Sequence, residues 1–188
     1  MSNPPGGKSV LILIDVINDL DFPQGRALLR HAMPAARRIV TLKKRARAAG
    51  IPVVYVNDNF GRWRSDFRHQ VEYCLRESCL GRHIAAMLAP EESDYFVLKP
   101  KHSAFFQTSL DILLEHLGAQ RLILTGFAGN ICVLYTANDA YMRDYQIVVP
   151  RDAIASESAG LNTQALTQMK RYLRAETPIA SKVRFGPE

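Results

Sequence analysis

Residues 122–137 have the sequence LILTGFAGNICVLYTA. The apolar run at the start of this segment is followed by Thr125 and Gly126, a pattern typical of a short strand that is buried on both faces of a parallel sheet. A turn with a second glycine comes next, and from Ile131 onward the apolar residues have helical spacing. The segment therefore predicts a strand, a turn and a helix, with Cys132 in the first turn of that helix.

The same alternation of strands and helices continues along the chain. Strands are predicted at 9–14, 51–56, 94–98, 121–125, 145–149 and 179–183, and helices at 32–49, 71–88 with a break near Gly81, 109–117, 131–143 and 161–175. This pattern favours a three-layer α/β/α fold with a six-stranded parallel sheet, because each right-handed crossover lays its helix against one face of the sheet. No repeat or linker divides residues 1–188, which are expected to form a single domain in which residues 1–7 are flexible.

Composition excludes several classes of protein. The chain has 188 residues, of which 47% are apolar and 22% charged, as in a soluble globular domain. No apolar run approaches the roughly 20 residues of a membrane span, and the first residues lack the apolar segment of a signal peptide. With three cysteines the chain has too few for a disulfide framework. We therefore expect a cytoplasmic protein that does not bind a membrane.

The formal net charge of +6 raises the question of nucleic-acid binding. Much of the excess lies between residues 37 and 47, where basic residues alternate at helical spacing with apolar ones. A solvated helix face explains this run. No basic stretch interleaved with aromatic residues and no DNA- or RNA-binding motif is present. The sequence therefore predicts no nucleic-acid partner.

Three residues with complementary chemistry follow predicted strands. Asp15 follows the first strand, Lys99 the third, and Cys132 the turn after the fourth. Because ligands bind beyond the carboxyl ends of parallel strands, these side chains are expected to meet at one edge of the sheet. There the lysine and the free N–H groups of a helix start would favour a cysteine thiolate, and the aspartate could accept its proton. Taken singly, each has an ordinary alternative: a buried cysteine, a turn-forming aspartate and a surface lysine.

Three segments of the chain resemble the signature blocks of the isochorismatase-like cysteine hydrolases. They are LIDVINDL at 13–20, LKPKHSAFF at 98–106 and GFAGNICV at 126–133, and Asp152-Ala153 is similar to a pair that follows the fifth strand in the family. The superfamily includes nicotinamidases, N-carbamoylsarcosine amidohydrolases, related amide and ureide hydrolases, and isochorismatases. The resemblance covers most of the chain and implies the isochorismatase-like, Rossmann-like form of the α/β fold.

The resemblance also implies a catalytic site. It assigns an Asp-Lys-Cys triad to Asp15, Lys99 and Cys132, and a cis peptide bond between Phe127 and Ala128. The oxyanion hole would consist of the backbone N–H groups of Ala128 and Cys132. In the implied mechanism Asp15 takes the thiol proton, the sulfur attacks a carbonyl carbon, an amine or ammonia leaves, and water hydrolyses the thioester.

Departures from the family pattern concern the metal and the pocket. Nicotinamidases bind a metal through an Asp-x-His pair after the second strand, where this chain has Asn57 and Asn59, and neutral amides are poor ligands for a transition metal. The histidines show no ligand spacing. We therefore predict no catalytic metal and no cofactor, and do not expect nicotinamidase activity. Beside the aspartate, Ile17 and Leu20 replace the glutamine and the aromatic residue of many members.

The cysteine indicates the class of substrate. Hydrolysis of the vinyl ether of isochorismate does not need a cysteine nucleophile, so Cys132 favours a small amide, ureide or carbamoyl compound. The candidate substrate-binding residues, whose aromatic members could equally be packing residues, are Leu20, Phe22, Asn57, Asn59, Arg62, Trp63, Phe105, Phe106 and Phe127.

Other functions stay open at this point. One is vinyl ether hydrolysis of the isochorismatase type, and another is a catalytically silent binding module with the same fold. A phosphatase would need a basic phosphate cradle after its cysteine, and a dithiol redox enzyme would need a Cys-x-x-Cys pair; the chain has neither. The resemblance further implies a homodimer or homotetramer.

Overall fold

Apolar runs of the chain form the parallel strands of one sheet in the computed structural model, which describes residues 8–61 and 66–186. The strands are β1 Lys8–Ile14, β2 Val53–Asp58, β3 Tyr95–Lys99, β4 Ala119–Phe127, β5 Gln146–Val148 and β6 Ile154–Ala155. The sheet has the order β3-β2-β1-β4-β5, and the short β6 pairs with the carboxyl end of β4. All of these pairings are parallel.

Helices cover both faces of this sheet. They are α1 Gly25–Ala48, α2 Phe67–Cys74, α3 Arg82–Met87, α4 Leu110–His116, α5 Leu134–Tyr141 and α6 Ala159–Tyr172. Two of them begin at side chains that accept a hydrogen bond from the first turn: Asp66 accepts from the His69 N–H, and Ser158 accepts from the Leu161 N–H.

The central strand β1 shows why the fold has three layers. Its residues after Lys8 are all buried, and alternate side chains point to opposite faces. Leu11 and Leu13 pack in a core with α1 and α3, whereas Ile12 and Ile14 pack in a second core with α4, α5 and α6. A strand buried on both faces therefore carries a continuous apolar run, and the α/β/α fold class predicted from the sequence is confirmed.

The sixth strand is not the predicted one. Residues 179–183, predicted as a strand, contain the short 3₁₀ turn Ala180–Lys182. Beside β5 the paired residues are Val148 and Glu176, which form one bridge. Pro178 then accepts from the Arg151 N–H but offers no N–H of its own for a further ladder bond. The sixth strand is instead β6, which pairs with the extension of β4 past its predicted end.

Helix α1 begins earlier than the predicted start at residue 32. Pro34 therefore lies inside the helix and not in its first turn. The apolar stripe that faces the sheet extends back to Leu28 and Ala32, and its burial outweighs the loss of one backbone hydrogen bond at the proline.

The basic run on α1 is not uniformly solvated, which corrects the prediction from its charge pattern. Lys43 is buried, and its ammonium donates to Tyr55 Oη at 2.5 Å and to the Ala89 carbonyl at 3.0 Å. It also lies 3.2 Å from the Asp94 carboxylate, which Arg47 contacts from the next turn. Part of the positive charge therefore stabilises the fold.

Among the described residues, every helix is too short or too polar to span a lipid bilayer.

Candidate active site

The structure brings Asp15, Lys99 and Cys132 together at the carboxyl edge of the sheet. Lys99 is the last residue of β3, and its Nζ lies 2.9 Å from Asp15 Oδ2 and 3.5 Å from Cys132 Sγ. The carbonyl of Lys101 accepts a further hydrogen bond from the same ammonium at 3.1 Å. The parallel direction of β1, β3 and β4 makes this meeting possible, since their carboxyl ends lie at one edge.

The three side chains differ in their access to solvent. The Lys99 side chain is fully buried and that of Asp15 is 6% exposed, whereas Cys132 is partly exposed. A buried ammonium needs partners on every side, and the carboxylate, the sulfur and the Lys101 carbonyl provide them. Cys132 is therefore the most accessible of the three residues, and Lys99 is the least accessible.

Burial and mutual charge control protonation in this cluster. Burial raises the pKa of the Asp15 carboxyl above its ordinary value, an effect that the nearby Lys99 charge and a hydrogen bond from Cys132 only partly offset. Burial alone would lower the pKa of Lys99, but the combined effects of Asp15, Cys132 and Asp58 outweigh burial, and the pKa is raised. The pair is therefore a carboxylate of unusual basicity beside a firmly protonated amine.

The cysteine differs from the thiolate expected from its sequence position. Burial raises the pKa of the Cys132 thiol, and the negative charge of Asp15 raises this pKa further. The charge of Lys99 lowers it by less. Since two adjacent anions are unfavourable in a buried site, Cys132 is a thiol whose nearest proton acceptor is Asp15.

The turn that carries the cysteine has an unusual form. Cys132 lies in the π-helical turn Gly129–Val133 that precedes α5, and not in the first turn of an α-helix. The carbonyl of Ala128 accepts hydrogen bonds from the N–H groups of Ile131 and Val133, which flank Cys132 in the chain. The peptide bond between Phe127 and Ala128 is cis, as the family resemblance implies.

Gly126, near the end of β4, and Gly129, in the turn, both lie where a Cβ would come too close to another atom. A Cβ on Gly126, whose φ is 112°, would lie 2.0 Å from the carbonyl oxygen of Ile14. A Cβ on Gly129 would lie 2.4 Å from Asn162 Oδ1. Asn162 accepts from Ser156 Oγ, which in turn accepts from the N–H of Asn130. Ser156 and Asn162, which follow β6, therefore contact the turn and help to fix its backbone. The sequence carried no signal for this role.

A second set of contacts joins the loop after Lys99 to α5, the helix that follows the turn with Cys132. The N–H of Ala104 donates to Thr136 Oγ1 at 3.0 Å, and Ser103 Oγ donates to the Asp139 carboxylate. Thr136 and Asp139 lie on α5, about one and two turns after Cys132. Sequence reasoning missed both residues, although helical spacing places them on the face of Cys132.

Asp58 also lies at the candidate site, although the sequence analysis gave it no role there. It is the last residue of β2, between the strands that carry Asp15 and Lys99. Its carboxylate lies 3.7 Å from Lys99 Nζ, and its N–H donates to Asp15 Oδ1 at 2.7 Å. A signal was available, since Asp58 ends a parallel strand at the same edge.

Several candidate substrate-binding residues lie in packing positions. Leu20 and Phe127 are buried in the core on the α1 side, and Phe105 is buried in the opposite core, where it stacks with Tyr145. Asn57 is fully buried and donates from Nδ2 to the carbonyl of Ile17. Because these four side chains are buried, the structure does not favour their direct contact with a substrate.

The remaining candidates are more accessible. Phe22 is 39% exposed and Phe106 is 51% exposed. Asn59 Oδ1 accepts from the N–H of Gly61, which closes a turn after β2. Arg62 and Trp63 lie outside the described residues. No group of three or more metal-ligating side chains occurs within residues 8–61 and 66–186.

A family model described as the isochorismatase domain matches residues 9–181. The chain belongs to the isochorismatase family. This isochorismatase-family protein is 44% identical over 173 residues to YaaI of Bacillus subtilis (strain 168), named as an uncharacterized isochorismatase family protein, and the match covers 92% of this chain and 94% of YaaI. The family predicted from the three sequence blocks is therefore confirmed.

Two further relatives of this isochorismatase-family protein are amide hydrolases by name. The ureidoacrylate amidohydrolase RutB of Yersinia enterocolitica is 31% identical over 174 residues, which cover 79% of this chain and 76% of RutB. The crystal structure of N-carbamoylsarcosine amidase from Thermoplasma acidophilum superposes with a TM-score of 0.72 at 26% identity and covers 94% of this chain and 99% of the amidase. The family thus includes hydrolases of C–N bonds.

Proposed function

We propose that this protein is a cysteine hydrolase that cleaves a C–N bond of a small amide, ureide or carbamoyl compound through a Cys132 thioester. The observation that carries the proposal is the position of Lys99 Nζ, 2.9 Å from Asp15 and 3.5 Å from the Cys132 sulfur. The similarity to RutB and to N-carbamoylsarcosine amidase supports the same class of reaction.

In the first step Asp15 accepts the proton of the Cys132 thiol as the sulfur attacks the carbonyl carbon. The raised pKa of the Asp15 carboxyl suits it to this task, because a more basic carboxylate is a better proton acceptor. Lys99 stays protonated and stabilises the negative charge that passes between the carboxylate and the sulfur. The S–C bond forms as the carbonyl π electrons move onto oxygen.

The tetrahedral oxyanion would be held by the backbone N–H groups of Ala128 and Cys132. Hydrogen bonds from the N–H groups of Ile131 and Val133 to the Ala128 carbonyl support this role, because they fix the backbone on both sides of Cys132. Asp15 returns its proton to the leaving nitrogen, and the C–N bond breaks. Ammonia or an amine departs and the acyl group stays on sulfur.

Water completes the cycle. Asp15 removes a proton from the water, whose oxygen attacks the thioester carbonyl and forms a second tetrahedral species. The C–S bond breaks, the sulfur regains a proton from Asp15, and the carboxylic or carbamic acid is released. One water is consumed for each C–N bond broken, and no redox partner takes part.

A panel of small amides, ureides and carbamoyl compounds, assayed for released ammonia or amine, tests the proposal. We expect Cys132→Ala to abolish turnover of every active compound, because no thioester can form, and mass spectrometry of the wild type to detect the acyl adduct on Cys132. The matched control is Cys79→Ser, which removes a cysteine outside the triad and should keep activity. Turnover that survives Cys132→Ala would contradict the mechanism. Isochorismate is assayed separately: its hydrolysis alone would favour the vinyl ether hydrolase, and turnover of none of these compounds would favour the catalytically silent binding module.

We also propose that the protein forms a homodimer or homotetramer, as the family resemblance implies. Large apolar side chains that are exposed in the single chain, among them Phe96 and Met142, are candidates for such an interface. Size-exclusion chromatography with light scattering tests this.

A further inference from the structure

Asp58 occupies a position at the site that the triad does not use. It pairs in register with Lys99 across β2 and β3, and it follows Asn57, which holds the loop after β1. Lys99 Nζ therefore has carboxylates on two sides, Asp15 at 2.9 Å and Asp58 at 3.7 Å. A chemical step that needs one carboxylate leaves the second one available for another role.

The orientation of the Asp58 carboxylate is fixed by its neighbours. Its Oδ1 accepts the N–H of Phe60 at 2.7 Å, and its Oδ2 faces Lys99. Its own N–H and C=O are engaged with Asp15 and with Gln70 Nε2. A carboxylate has about four lone-pair positions, so two protein partners leave acceptor capacity on both oxygens.

Exposure distinguishes the two carboxylates. The Asp58 side chain is 35% exposed, whereas that of Asp15 is 6% exposed and that of Lys99 is fully buried. The Asp58 carboxylate and the Cys132 sulfur both contact Lys99 Nζ, at 3.7 Å and 3.5 Å, so the unused acceptor positions of Asp58 lie close to the sulfur. A carboxylate in such a place attracts N–H donors and repels anions.

We propose that Asp58 is a substrate-binding residue that accepts a hydrogen bond from an N–H group beside the scissile carbonyl. The inference rests on the proposed function and narrows its substrates to neutral or cationic primary amides and ureido compounds. Fully N-substituted amides lack the donor, and acyl groups with a carboxylate next to the carbonyl meet the charge of Asp58.

Alkylation of Cys132 by three small probes tests this without a known substrate. Iodoacetamide is neutral and has an N–H donor, 2-iodo-N,N-dimethylacetamide is neutral and has none, and iodoacetate is anionic. In the wild type we expect Cys132 to prefer iodoacetamide. In Asp58→Asn we expect the preference over the dimethyl compound to fall about tenfold, and the relative rate with iodoacetate to rise about tenfold. Ratios of rates at one pH cancel any change in the thiolate fraction.

The chain offers two controls for this experiment. Cys79, followed in the same samples by site-resolved mass spectrometry, should keep its probe ratios, and Glu115→Gln removes an exposed carboxylate on α4 without affecting Cys132. Asparagine can still accept from the Phe60 N–H; if that variant does not fold, Asp58→Ser gives the same comparison. Unchanged ratios at Cys132 in a folded variant overturn the assignment. If the ratios shift but no amide is hydrolysed, Asp58 is upheld as a binding residue and the hydrolase proposal is rejected.

Discussion

At the scale of single residues, the charge of Asp15 influences the protonation of Cys132. Because the negative charge of Asp15 raises the pKa of Cys132, Asp15→Asn should lower the thiol pKa and speed alkylation of Cys132 by iodoacetamide near neutral pH. Turnover should nevertheless fall by a factor of about 10² to 10⁴, because the proton acceptor is lost. The pH dependence of alkylation, measured beside turnover, gives both quantities.

Lys99→Met tests the effect of the positive charge beside Cys132. It removes the cation that lowers the pKa of Cys132, so the thiol pKa should rise and alkylation should slow. The opposite movement of the two variants separates a charge effect from a general loss of structure. A thiol pKa that rises in Asp15→Asn would contradict this account of the site.

A related expectation concerns the pH profile of the wild type. The proposed mechanism requires an ionised Asp15, and burial raises the pKa of this carboxyl above that of an ordinary one. Activity should therefore be lost as pH falls through this raised pKa, at a higher pH than for an exposed aspartate. An acid limb of kcat/KM at or below the ordinary carboxyl range would contradict the shift.

At the scale of elements, α5 follows the turn with Cys132 and forms hydrogen bonds with the loop after Lys99. Thr136→Val preserves shape but leaves the buried N–H of Ala104 without its acceptor. This should lower the unfolding free energy by about 1 to 3 kcal/mol and should also lower kcat. Thr163→Val is the matched control, because its hydroxyl bonds only to Ala159 on the exposed side of α6. Equal kcat in the two variants would show that this tie does not position the site.

At the scale of the whole molecule, the two ends of β3 lie beside two different buried ion pairs. Lys99 is its last residue, whereas Asp94, which pairs with buried Lys43, precedes its first. Lys43→Met should lower the unfolding free energy by about 3 to 5 kcal/mol, because it breaks a buried network, and should leave the kcat of the folded protein unchanged. Lys44→Met, one residue further on the exposed face, should change stability by about 0.5 kcal/mol or less. Denaturant unfolding distinguishes them, and equal losses would mean that Lys43 is effectively solvated.

The apolar pattern of the chain was sufficient to predict the α/β/α fold and the arrival of Asp15, Lys99 and Cys132 at one edge of the sheet. Both follow from local information, because strand and helix periods are visible in short windows and parallel strands share a direction. The weak final strand was the exception, since Pro178 and the extension of β4 decided between two short segments.

Only the tertiary structure decided the partners and the protonation of the site. Asp58 and Thr136 contact residues more than thirty positions away, and the burial that makes Asn57 a support and raises the pKa of Cys132 comes from packing of the whole chain. Hydrogen bonds act over a few ångströms, and the cost of a charge depends on what surrounds it in space. Neither distance nor surroundings can be obtained from residue order alone.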